Sequence, residues 1–222
     1  MIRLLSTKPL LPEEVETFAT SGFQVETLPF IRVRTLDTLA PFPKADFSIF
    51  TSRNAVEAVL KVPTAKAQAP HKAFCVGEKT RKCLEKAGWE VVASFGYAQQ
   101  LADHLVEQYA CYSFVFFCGE RRMETLPEQL KAHGMPCHEC LTYTTELTPQ
   151  KLHKPYDGLL FFSPSAVKSF LKENRFAGEK IICIGSTTQG AIPQGITSYA
   201  APYPTLESMR ECCLKIFNNR QT

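Results

Sequence analysis

DFSIFTSRNAVEAVL, residues 46–60, returns as DGLLFFSPSAVKSFL, residues 157–171. Asp46, Phe50, Ser52, Ala55, Val56 and Leu60 match Asp157, Phe161, Ser163, Ala166, Val167 and Leu171 without a gap. Each copy leads from an Asp into an apolar run, through a Ser-containing turn, to apolar residues at helical spacing. That pattern predicts strand, tight loop, helix. In open α/β sheets, ligands bind at the loops leaving the carboxyl ends of strands. A repeat of this size is a duplicated domain, because solenoid periods run at about 20–50 residues.

The doubling extends on both sides. AFCVGEKT (73–80) reads as strand, Gly turn and helix start, and IICIGSTT (181–188) echoes it. WEVVA (89–93) predicts a strand, followed by a helix over 99–108 with Leu101 and Leu105 inward. ITSYA (196–200) and a helix over 205–217, with Leu206, Met209 and Leu214, form the second version. IRLLS (2–6) and FVFFC (114–118) read as buried strands. Each precedes a Leu-Pro-Glu helix start, at 11–13 and 126–128, and the helices end at Ser21-Gly22 and His133-Gly134. Pro in the first turn and acids near the positive end of the dipole suit such starts. Val15, Phe18 and Ala19 would face inward from the first. Residues 63–71 read as a polar, Pro-containing connection.

Alternating β and α with short loops predicts an α/β fold of two similar doubly wound parallel-sheet domains. Two groupings are open: each half forms a domain, or the middle of the chain is inserted into a discontinuous first domain. FIRVR (30–34) and CLTYTT (140–145) are extended, linker-like stretches and favour insertion. The expected division is 1–32 with 154–222, then 41–141, with 33–40 and 142–153 as a two-stranded antiparallel β linker. A ligand cleft between the domains is then the natural site.

Composition limits the function classes. The 222 residues suffice for two domains of about 100 residues. A 45% hydrophobic and 21% charged content is that of ordinary globular proteins. No apolar run approaches the roughly 20 residues needed to span a membrane. The start, MIRLLSTKPLLPEEVE, turns acidic and carries Pro too early for a signal peptide, so a cytoplasmic location is expected. A net charge of +3 without a Lys/Arg block argues against a nucleic-acid partner. Nine cysteines at irregular spacing, without an export signal, suit reduced thiols. The CxxC at 137–140 would put its two thiols on opposite sides of a strand. Cys75, Cys118 and Cys183 read as small core residues.

No GxGxxG follows a strand, and neither GxxxxGK[ST] nor GxSxG occurs. Hydroxyls and glycines at strand-to-helix loops recur instead: Thr51, Ser52 and Asn54; Gly77 and Thr80; Gly119; Ser163 and Ser165; Gly185, Ser186, Thr187 and Thr188. Helix N-termini bind anions through unsatisfied N–H groups and the dipole. Each such Ser or Thr also reads as a simple helix cap. Matched sets in duplicated loops point to a ligand with several anionic arms. Arg53, Lys79, Arg121, Arg122 and Lys168 are the nearby cations, each read first as a solvated surface group and only second as a ligand contact.

FTSRNAV (50–56), VGEKT (76–80), CGERRMETLP (118–127), LTYTT (141–145), FFSPSAV (161–167), IGSTT (184–188) and PYPTLES (202–208) together resemble the uroporphyrinogen-III synthase family, in the family's order. The resemblance implies two α/β domains joined by a β-ladder. It implies a cyclising hydro-lyase of porphyrin and heme biosynthesis. Linear hydroxymethylbilane loses water and closes to uroporphyrinogen III with its last pyrrole ring inverted. No metal or cofactor is implied. The protein would be a monomer taking its substrate from the hydroxymethylbilane-making enzyme.

On the resemblance, Tyr143 assists the departing hydroxyl; as residues alone, it reads equally as a linker tyrosine. Thr51, Ser52, Asn54, Gly77, Thr80, Gly119, Arg121, Arg122, Ser163, Pro164, Ser165, Ser186, Thr187 and Thr188 are the expected substrate-binding residues. Many relatives carry RGxGGRExL after the strand. Here Cys118 stands for the first Arg and Met123 for the later one, with Arg121 or Arg122 to compensate. The alternative is a non-enzymatic two-lobed receptor or regulator of anionic ligands. A receptor would normally carry an export signal, and a DNA-binding regulator would need further helix-turn-helix sequence.

Overall fold

The computed structural model describes residues 1–37, 39 and 41–218; positions 38 and 40 of the expected linker, and residues 219–222, lie outside the described residues. The elements in order are β1 (Ile2–Ser6), α1 (Pro12–Ala19), β2 (Phe23–Thr27), β3 (Ile31–Thr35), β4 (Phe47–Phe50), α2 (Arg53–Lys61), α3 (Pro63–Gln68), β5 (Lys72–Val76), α4 (Glu78–Lys86), β6 (Glu90–Phe95), α5 (Ala98–Gln108), β7 (Phe114–Gly119), α6 (Thr125–Ala132), β8 (Cys137–Leu147), β9 (Gly158–Phe161), α7 (Pro164–Glu173), β10 (Lys180–Cys183), α8 (Ser186–Gln189), β11 (Ser198–Ala200) and α9 (Leu206–Asn218).

The chain divides into two units, Met1–Arg32 with Glu146–Thr222, and Val33–Thr145. The first unit holds a sheet in the order β11-β10-β9-β1-β2. All its pairings are parallel. Successive side chains on a strand point to opposite faces. Leu5, Leu159 and Ile181 therefore join Phe161 and Phe170 in a core on one face. Leu4, Leu160 and Ile182 join Phe18 and Met209 in a core on the other. With both faces covered, the strands are continuous apolar runs, as buried parallel sheets require.

The second unit repeats this plan in the order β3-β8-β7-β4-β5-β6. From β8 to β6 the pairings are parallel. Phe50, Cys75, Val115 and Phe117 pack under α2 and α4. Ile49, Phe74 and Phe116 pack under α5 and α6 on the opposite face.

The repeated stretch folds alike in both units. Ser52 caps α2 by accepting the Asn54 N–H at 3.2 Å, and Ser163 caps α7 by accepting the Ala166 N–H at 3.2 Å. Such caps contribute about 1 kcal/mol each. Behind them Ala55, Val56 and Val59, and Ala166, Val167 and Phe170, are buried at helical spacing. That is the hydrophobic effect organising an amphipathic helix.

Several expectations need correction. Residues 63–71 are not a plain connection, because Pro63–Gln68 forms α3. Pro63 occupies the first turn, where its missing N–H costs nothing, and Ala65 and Ala69 are buried. Ala19 faces solvent, so Phe18 alone of α1 is buried. The echo of α4 is a single turn, α8, followed by Gly190 and Pro193. The strand expected over 196–200 begins only at Ser198.

The cysteines are free thiols. Cys137 packs on one face of β8 and Cys140 is buried in the other. Burial pushes the thiols of Cys118, Cys137, Cys183 and Cys213 up to about 12, and that of Cys140 to about 11. A thiol held protonated is a poor nucleophile and a poor metal ligand. Among the described residues no group of three or more His, Cys, Asp or Glu is placed to hold a metal ion. No described helix is long and apolar enough to cross a membrane.

Candidate active site

Parallel strands put all their carboxyl ends on one edge, so each unit gathers its strand-to-helix loops along a single rim. In the second unit the rim carries Thr51, Ser52 and Asn54 after β4, Gly77 after β5, and Gly119 at the end of β7. Thr51, Ser52, Asn54 and Gly77 are half-buried. Gly77 has φ +87°, a left-handed conformation that favours glycine, and opens α4 without a side-chain cap. Its N–H is spent on the Phe95 carbonyl at 2.9 Å. Thr80 is buried, so its side chain belongs to the interior of the fold.

Tyr143 reaches this rim from β8. The β7–β8 register runs Cys118 to Leu141, then Gly119 to Tyr143, with a bulge between. The extra residue is Thr142, whose hydroxyl donates to the buried Cys118 carbonyl at 2.9 Å. The Glu120 N–H donates to the Tyr143 carbonyl at 3.1 Å. The bulge turns Tyr143 to the same face as Cys140, against the core under α2, where simple alternation would separate them. The half-buried ring lies directly on the buried Gly119.

The basic residues of the next loop are partly committed. Arg122 pairs with Glu139 on β8, and with Glu124 at 3.4 Å. The hydrogen bond to Glu139 raises its already high pKa further. Arg121 and Met123 are exposed. A cavity of about 490 Å³ opens nearby, lined by Glu124, Glu128, Lys131, Met135, Cys137 and Glu139. Three carboxylates against one ammonium make it a poor receptor for an anion.

In the first unit the rim carries Ser163, Pro164 and Ser165 after β9, and Ser186, Thr187 and Thr188 after β10. Ser186 and Thr187 are exposed, whereas Thr188 is buried. The Gly185 carbonyl takes the Thr188 and Gln189 N–H groups, each at 3.1 Å, closing the single turn of α8. Lys8, just past β1, was absent from the expected set. Its ammonium sits 4.5 Å from the ring centre of Phe162, just past β9. The signal was available in part: a lysine immediately after a buried strand is at the rim by topology alone. That Phe162 lies beside it required the β1–β9 pairing.

The rims thus hold hydroxyls, helix N-termini, one seated phenol and one lysine lodged on an aromatic ring. Two solved structures share the fold. Uroporphyrinogen-III synthetase from Helicobacter pylori 26695 is 23% identical, with a TM-score of 0.74 over 97% of this chain and 100% of that one. A mutant uroporphyrinogen III synthase from the extremely thermophilic bacterium Thermus thermophilus is 16% identical, with a TM-score of 0.65 over 99% and 100%. The family model described as uroporphyrinogen-III synthase HemD matches residues 13–211, nearly the whole of the described sequence. The chain belongs to the uroporphyrinogen-III synthase family.

Proposed function

We propose that the chain carries out its family's reaction with Tyr143 as proton donor and with the rim loops of each unit as carboxylate holders. The reaction is the cyclising dehydration of hydroxymethylbilane to uroporphyrinogen III, a lyase activity, and the family match over residues 13–211 carries it. The phenol of Tyr143 donates to the departing hydroxyl, which leaves as water. The resulting azafulvene is electron-poor, and the substituted carbon of the terminal ring attacks it. The spiro intermediate breaks and recloses with that ring inverted, and the proton released as the pyrrole regains aromaticity balances the one given up by Tyr143, restoring the phenol. The pyrroles supply the reactivity, so the protein's main contribution is to fold the chain and select the attacking carbon.

Eight substrate carboxylates need partners. Helix N-termini offer about 0.3–1 kcal/mol each at exposed sites, so several together give useful affinity without a buried charge. Ser52 and Ser163 contribute through the helix ends they cap, because their hydroxyl oxygens already accept backbone N–H groups. Thr51, Asn54, Ser186 and Thr187 supply side chains directly, with Arg121 as a cation. The enzyme works as a cytoplasmic monomer without a cofactor and receives its substrate from the enzyme that makes it. The direct test is product analysis: purified protein with hydroxymethylbilane should yield the type III isomer. Only the spontaneous type I ring would defeat the reading.

A further inference from the structure

We propose that Gly119 is the positioning residue for Tyr143, supplying the flat seat that fixes the phenol at the rim. This inference rests on the reading of Tyr143 as proton donor. A Cβ placed on Gly119 would lie 2.4 Å from Cζ of Tyr143, 2.5 Å from Cε2 and 2.7 Å from the phenolic oxygen. Carbon atoms pack at about 3.5–4.0 Å, so any side chain here would push the ring away by about 1 Å or more.

The need is for space and not for backbone freedom. Gly119 is absent from the glycines with positive φ, and it lies within β7. Gly22, Gly88 and Gly134 are the opposite case: each has positive φ, with nothing within 4 Å of the added carbon. Gly119 therefore cannot be explained as a turn residue.

The seat is fixed from both strands. Thr142 ties the bulge to the Cys118 carbonyl at 2.9 Å, and the Glu120 N–H ties the Tyr143 carbonyl at 3.1 Å. With the backbone held on either side of the contact, the ring cannot relax by sliding along β8. Its remaining freedom is rotation of the side chain, and the bare Cα of Gly119 sets where that rotation stops. The phenol is thus held by shape where a hydrogen bond would otherwise have to aim it. A proton donor must sit within about 2.6–3.2 Å of its acceptor, and displacement by about 1 Å can cost about 10²-fold in rate.

The test compares Gly119→Ala, Tyr143→Phe and the double variant, by turnover of hydroxymethylbilane and by the ring NMR signal of Tyr143. If Gly119 acts through Tyr143, Gly119→Ala lowers kcat by about the factor seen for Tyr143→Phe and changes KM less. The double variant is then no slower than the slower single one. The Tyr143 ring signal shifts in Gly119→Ala. Additive losses in the double variant would overturn the proposal and make Gly119 a substrate contact in its own right. Full turnover by Gly119→Ala with an unmoved ring signal would also overturn it.

If Tyr143→Phe alone turns over normally, it is the proton-donor reading that fails. The seat is then still judged by the ring signal and by melting temperature, where Tyr143→Ala in the Gly119→Ala background should restore stability. The same pair decides the matter if Gly119→Ala does not accumulate as folded protein. Recovery of folding on removing the ring supports the seat, and continued failure rejects it.

Discussion

The carboxylate of Asp46 takes two hydrogen bonds from Ser113, from its backbone N–H at 2.8 Å and from its hydroxyl at 2.6 Å. In the other unit Asp157 accepts the Arg3 N–H at 2.8 Å and returns its own N–H to the Arg3 carbonyl at 2.8 Å. The two repeated aspartates thus fasten β4 to β7 and β9 to β1 at the amino ends of the pairs. The Ser113 hydroxyl, with its N–H, holds the Asp46 carboxyl below the usual aspartate range. A carboxyl that titrates lower in the folded state stabilises it fully above its unfolded pKa, about 3.9, and loses that effect as pH falls through the folded value. Asp46→Asn should therefore lower the urea midpoint at neutral pH, with the gap to the parent closing in acid. A gap that is constant with pH would show that the charge contributes nothing.

Tyr143→Phe should leave folding intact and slow turnover near the low end of the 10²–10⁴-fold range that general acid help is worth, about 10². A phenol O–H is a hydrogen-bond donor, and phenylalanine keeps the ring while removing it. Hydroxymethylbilane also loses its hydroxyl unaided, which makes part of that help redundant. The product should stay the type III isomer, because isomer choice depends on how the substrate is folded. Wild-type turnover would make the residue a linker tyrosine. A stable variant yielding only the type I ring would make it the residue that steers inversion.

Ser52→Ala and Ser163→Ala should each cost about 1 kcal/mol in stability, the value of a lost cap. If the N–H groups of the helix ends hold the carboxylates, as proposed, substrate affinity should fall less than tenfold, because those groups remain. Chemical denaturation and KM, measured on the same variants, separate the two effects. A loss of affinity beyond tenfold from either change would point to hydroxyl contacts and sink the backbone-driven account.

Lys8→Met keeps the apolar stem over Phe162 and removes the ammonium. If Lys8 meets a substrate carboxylate in ground state and transition state alike, KM rises several-fold and kcat is unchanged. A fall in kcat at constant KM would place the lysine in the chemistry, contrary to this prediction.

The α/β class was legible in the doubled pattern around residues 46–60, because strand and helix periods differ and each was written twice. α3 was missed because an Ala-rich, Pro-initiated turn carries too few large apolar residues to show a period. The helix start at 186–188 was legible from its echo of 78–80, and Gly190 and Pro193 stop it after one turn as α8. The repeated aspartates were visible, but their partners Ser113 and Arg3 lie far away in sequence, and only the pairing order brings them close. The seating of Tyr143 was equally hidden. It depends on one extra residue in β8, and strict alternation would have turned the ring to the other face. Arg122 was available as a substrate cation until the fold placed Glu139 beside it.

The division of the chain also sets an order of assembly. The unit spanning Val33–Thr145 is continuous, so its whole sheet can close as soon as β8 has been made. The other unit begins with β1 and β2 and must wait for β9, which pairs with β1 from Gly158 onward. At about 5–20 residues per second, that wait during synthesis is on the order of ten seconds. Throughout it Leu4 and Leu5, wholly buried at the end, lack the Leu159 and Leu160 layer that covers them. The newborn chain therefore carries a finished half and a sticky, two-stranded stub, and chaperones or an early stop would act on the stub.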